Sequence, residues 1–185
     1  MMRRALDGLY TASLWASALC LVAIASLVGL QLAGRLVDGT LAWLHLPRTD
    51  FVILSMAEIC GYLLAAASFL ALAGTLKAGT HIRVTMALSP LGAYRRLAEL
   101  FAFGAATLVS AYISWHLCNF AYVSWLFNEV STGVVRVPLC YPQAAMALGS
   151  AILTIALADE CVEVWRHGSP SFRRAEDAIT LGKEG

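Results

Sequence analysis

Four long apolar stretches separated by short polar connectors constrain this chain more than anything else in it. They cover about residues 9–33, 51–76, 97–127 and 139–158. Each has the ~20 residues an α-helix needs to cross ~30 Å of hydrocarbon at ~1.5 Å per residue. The runs are continuous and lack the alternation of a half-buried strand. An isolated pair of strands would also leave backbone N–H and C=O groups unpaired in lipid. Hydrogen bonding therefore predicts an all-α membrane protein with four transmembrane helices, a single domain over residues 1–185. Composition agrees: 59% of residues are hydrophobic and 14% charged, against about 45–50% and about 25% in soluble domains. With a net charge of +1 and no basic face, no nucleic-acid partner is expected. The expected surroundings are a lipid bilayer.

The beginning, MMRRALDGLYTASLWASALCLVAIASLVGL, looks at first like a secretory signal. Its apolar run is longer than the roughly 7–15 residues of a signal core, and no clear A-x-A site follows. A retained anchor is expected. Positive charge then orients the spans. Arg3 and Arg4 precede the first run, Lys77, Arg83, Arg95 and Arg96 lie between the second and third, and Arg166, Arg173, Arg174 and Lys183 follow the fourth. The other two connectors hold only Arg35, Arg48 and Arg136. Cations accumulate on the cytoplasmic side, so both termini are expected inside, with residues 168–185 as a polar cytoplasmic tail. The stretch GRLVDGTLAWLHLPRTD (34–50) has Val37, Leu41 and Leu44 at helical spacing. A short amphipathic interfacial helix is expected there, between the first two spans. The third run exceeds one bilayer and its second half is rich in Tyr112, Trp115, Tyr122 and Trp125. Aromatics favour the interface, so this helix is expected to tilt or to extend past the headgroups.

Few residues are candidates for chemistry. Glu58 is the one carboxylate well inside a run. An acid in a span costs about 2.5 kcal/mol or more, so it faces protein and has a partner. Tyr62, one turn on, can donate to it; Arg48, Arg136 or another subunit can also reach it. Its functional reading is an ion or proton site; its structural readings are a buried polar tie within the bundle or to a partner chain, and an interfacial, merely solvated carboxylate. Asp159, Glu160 and Glu163 at the end of the fourth run read as a solvated helix end, with Arg166 on the next turn. His45, His81, His116 and His167 form no pair at matching depth for haem. The cysteines at 20, 60, 118, 140 and 161 contain no CxxC, and they read as small packing residues. Cys118 and Cys140 are expected near one membrane face, with no spacing that argues for a disulfide. No metal-ligand spacing, phosphate loop or hydrolase motif occurs, so neither a metal nor a cofactor is expected. Small residues in ASLWASALCLVAIAS, GYLLAAAS and ALGSAILTIALA permit close helix approach. Such a bundle is better suited to gripping a larger membrane partner than to transport alone.

The stretch PRTDFVILSMAEICGYLLAAASFLALAGTLKAGTHIRVTMAL resembles the DctQ-type small membrane subunit of tripartite ATP-independent periplasmic (TRAP) transporters. In that family an acid early in the second span is followed by small residues, then a base and G-x-H-I-x-V. The matching positions are Glu58, Lys77, Gly79, His81, Ile82 and Val84, with Arg83 inside the element. Thr85 stands where the family usually has Asp. Gly133 and Pro138 resemble the family's approach to its last span. The resemblance implies a non-enzymatic scaffold without cofactor. It would sit in the bacterial inner membrane and brace a large multi-spanning subunit that carries solute with sodium, while a periplasmic substrate-binding protein docks outside. Glu58, Lys77, Gly79, His81 and Arg83 then become candidate partner-binding or structural residues. The reading from another class is a small four-helix redox protein using haem, or quinone and thiols.

Overall fold

The computed structural model describes residues 2–47, 49, 51–77 and 95–167. Four helices account for most of them: α1 (Met2–Trp43), α2 (Met56–Lys77), α3 (Arg95–Leu126) and α4 (Cys140–His167). All four are long and apolar enough to cross a membrane. Among the described residues there is no strand, only an isolated bridge between Val130 and Pro138.

The helices stand in the order α1–α2–α4–α3 rather than in a closed bundle. Hydroxyls on inward faces set the register. Ser13 donates to the Leu70 carbonyl at 2.5 Å and Ser17 to the Ala67 carbonyl at 2.8 Å, so α1 and α2 run antiparallel. Ser110 and Thr154 share a hydrogen bond of 2.9 Å, and Arg96 donates to the Trp165 carbonyl, which makes α3 antiparallel to α4. The two central helices run parallel. A Cβ on Gly149 of α4 would come within 2.5 Å of the Phe69 backbone of α2, so the missing side chain lets two backbones touch. Lipid provides no hydrophobic drive between helices, and such close approach plus polar ties, worth on average about 0.6 kcal/mol each, replaces it. The small apolar core lies between α1, α2 and α4, around Tyr10, Ala73, Leu76, Ile152, Ala156 and Leu157. Outward faces of α1 and α3 remain open: Trp15, Leu19, Leu108 and Trp115 are each more than 65% exposed.

Two helix ends are set by the same device. His45 (φ 56°) and Asn128 (φ 50°) adopt left-handed backbone just past α1 and α3. Leu46 N–H reaches the Leu41 carbonyl and His45 N–H that of Ala42; Glu129 and Asn128 repeat the pattern with Ser124 and Trp125. Each is a Schellman cap that satisfies carbonyls the helix leaves open.

The helix expected between the first two spans is present but not separate. Residues 34–43 continue α1, whose 42 residues extend about 63 Å, twice the hydrocarbon thickness. With Ser17 level with Ala67, α1 runs about 20 Å past the start of α2. The connector doubles back along it. Thr49 donates to Asp38 from both its backbone N–H (2.8 Å) and its hydroxyl (2.5 Å), and Phe51 packs its ring on Gly34. These contacts hold the connector against the last turns of α1. The tail 168–185 lies outside the described residues.

Candidate functional site

The charged residues that matter sit at the two ends of α2, and the sequence places one of each sign there. Glu58 is in its first turn and Lys77 in its last, each complementing the partial charge of the helix terminus beside it.

The Glu58 end is built from a helix start and a connector. The helix begins at Met56, five residues later than the apolar run suggests, so Glu58 lies in the first turn rather than deep in the span. Its N–H and that of Ile59 both reach the Ser55 carbonyl at 3.1 Å. As expected, Tyr62 donates its hydroxyl to Glu58 Oε1, at 2.8 Å. The other oxygen rests on Gly133 in the α3–α4 connector, where a Cβ would stand only 1.8 Å from Oε2. Ser55 completes the contact by accepting the Val135 N–H at 3.0 Å. That connector is itself tied down: Ser131 N–H donates to the Val137 carbonyl at 2.9 Å, Leu139 N–H to the Glu129 carbonyl at 3.0 Å, and Ser124 to the Glu129 carboxylate at 2.6 Å. Arg136 is exposed and makes no ion pair with Glu58; Arg48 lies outside the described residues. The partner of Glu58 is thus a tyrosine and a fitted backbone, not a cation of the described chain.

The Lys77 end is the opposite case. Lys77 Nζ is 2.6 Å from Asp159 Oδ2 and 2.9 Å from Glu160 Oε1, and it lies 5.4 Å from the centroid of the Tyr10 ring. Three helices meet on one ammonium. Glu160 is fully buried and Glu163 nearly so, while Glu99, on the α3 side of α4, is 1% exposed. The expected solvated helix end is therefore a correction: packing of α2 and α3 on either side of α4 takes these carboxylates out of water. Parallel α2 and α4 bring Lys77 level with Asp159, and a buried charge needs such a partner.

Of the sequence candidates, the structure positions Glu58 and Lys77 about a whole helix apart, so they do not form one site. Gly79, His81 and Arg83 lie outside the described residues. Sequence reasoning missed Tyr10, Asp159 and Glu160 as partners of Lys77. Equal depth in two even-numbered spans was the signal that could have found them. It also missed Ser55, although Ser55-x-x-Glu58 has the pattern of a helix-start box. All five cysteines are free, and from the α3–α4 register Cys118 and Cys140 differ by about 9 Å in height. His45 sits past the end of α1 and His116 on the exposed face of α3, so these two do not face each other. Among the described residues no group of His, Cys, Asp and Glu is arranged to hold a metal.

Neither curated proteins nor solved structures give a match to this chain. A family model does match, over residues 49–167, that of the tripartite ATP-independent periplasmic transporters, DctQ component. The matched stretch starts just before α2, includes both of its charged ends and closes with α4. The chain belongs to that family: it is a DctQ component, a transporter part with four membrane-spanning-type helices.

Proposed function

We propose that this chain is the small scaffold subunit of a sodium-coupled uptake system that depends on a substrate-binding protein, and that it braces the large transport subunit in the bacterial inner membrane. Family membership with the open order of the helices carries this reading. A slab of four helices whose outer pair exposes much of its apolar surface offers two broad flanks to a neighbour, whereas Lys77, Ser13, Ser17 and Ser110 are taken up in ties between its own helices. The start of α1 and the end of α4 lie at the Lys77 end of the described residues, the side that the charge distribution assigns to the cytoplasm. The Glu58 end then faces the periplasm, where a binding protein docks on the assembled transporter.

The test is co-expression of this chain with the large membrane subunit, purification through a tag on this chain, and reconstitution with the binding protein. The expected result is a detergent-stable complex and sodium-dependent uptake that stops when this chain is omitted. Uptake of equal rate by the large subunit without this chain would remove the scaffold role.

A further inference from the structure

The outward face of α3 carries a row of polar groups at hydrocarbon depth. Tyr112, His116 and Asn119 recur at i, i+4 and i+7, the spacing of a single stripe on a helix. Ser110 and Ser114, which face α4, lie on the other side. All three stripe residues are exposed. The rings of Tyr112 and His116 meet edge to face at 4.4 Å, and neither His116 nor Asn119 makes a hydrogen bond with any described residue. Their depth follows from the Ser110–Thr154 contact. Six residues further along α3, His116 is level with about Leu148, some 12 Å inside the first residue of α4, and Asn119 is about 8 Å inside. The stripe thus runs from near the middle of a ~30 Å core into its outer half. Lipid tails offer neither donors nor acceptors there, and ionisable or amide side chains in spans turn toward protein. Among the described residues α3 packs mainly against α4, and its other side is left without cover.

We propose that the Tyr112–His116–Asn119 face of α3 is the seat of a transmembrane helix of the large subunit. That helix presents a backbone carbonyl, hydroxyl or carboxylate that accepts from His116 and pairs with the Asn119 amide. This rests on the scaffold reading above and deepens it by choosing the α3 flank over the α1 flank. The outward residues of α1 level with the middle of α2, Trp15, Leu19 and Val22, are apolar and suit lipid.

The experiment is a tagged pull-down of the co-expressed large subunit with the doubly substituted chain His116→Leu/Asn119→Leu. The comparison is Trp15→Ala/Leu19→Ala on the α1 flank. Leucine suits lipid, so the α3 variant is expected to keep the thermal midpoint of the isolated chain while recovering at least ten-fold less large subunit. The α1 variant is expected to recover the full amount. As a second readout independent of folding losses, a photoreactive phenylalanine at position 112 is expected to crosslink to the large subunit. Undiminished recovery with the α3 variant, equal loss with the α1 variant, or crosslinks only between two copies of this chain would each overturn the assignment. If the unsubstituted chain recovers no large subunit, the scaffold reading itself fails and the assignment with it. An intact complex indifferent to the α3 changes removes the assignment alone.

Discussion

The two ends of α2 solve the same problem by different means. At the Lys77 end a cation is held by acids from α4 and an aromatic ring from α1, so three helices are tied through charges that leave water together. At the Glu58 end an anion is held by a tyrosine of its own helix and by the absence of a side chain on Gly133. The first fastening is electrostatic and joins spans to spans. The second depends on shape and joins a span to a connector. The difference teaches which end is permanent. Separating α2 from α4 at Lys77 strands buried charge, whereas loosening Gly133 from Glu58 exposes a carboxylate to a polar boundary that can solvate it.

The largest expected effect comes from removing the cation. Lys77→Met leaves Asp159 and Glu160 without the ammonium both contact, a loss that is typically about 3–5 kcal/mol for a buried pair. It should give the greatest drop in thermal midpoint in detergent. Adding Asp159→Asn and Glu160→Gln should recover most of the loss, and a Lys77→Met chain as stable as the original would break the comparison. Next is Gly133→Ala, whose methyl falls within contact distance of Glu58 Oε2 and forces the connector aside at about 1–3 kcal/mol. Coupling between contacting sites means that the same change in a Glu58→Ala background should cost much less, as the same melting assay would show. Tyr62→Phe removes one half-exposed hydrogen bond and should cost about 1 kcal/mol. Smallest is Ser55→Ala, about 0.5 kcal/mol, best seen as faster hydrogen exchange at the Val135 amide of the connector with α3 and α4 unchanged.

How much of this was legible beforehand depends on the range of the interaction involved. The four helices were legible because lipid leaves a chain no other way to satisfy its backbone, and residue counts alone give their number. Tyr62 as donor to Glu58 was legible because four residues along a helix is one turn. The start of α2 was not: Phe51 to Leu54 are as apolar as the helix that follows, and hydropathy is blind to the fact that Phe51 packs back on Gly34 of α1. For the same reason Arg35 and Asp38 read as a connector although the helix carries on through them. The buried acids of α4 escaped because their neighbours are distant in sequence. A carboxylate at a helix end looks solvated until the packing of adjacent spans is known, and the side-by-side placing of the second and fourth spans is a property of the whole arrangement.

The central position of α4 has a bearing on how the molecule comes to be made. The fourth helix leaves the ribosome last, yet it touches both α2 and α3, and α3 packs on little else. The first two spans can zip together through Ser13 and Ser17 as soon as they are inserted. The third must wait alone in the bilayer, with Ser110 and Ser114 not yet covered, until the final segment arrives to join it to the others. A chain cut short before Cys140 would therefore leave a paired hairpin and a stray helix, a form that cellular quality control is equipped to recognise and remove.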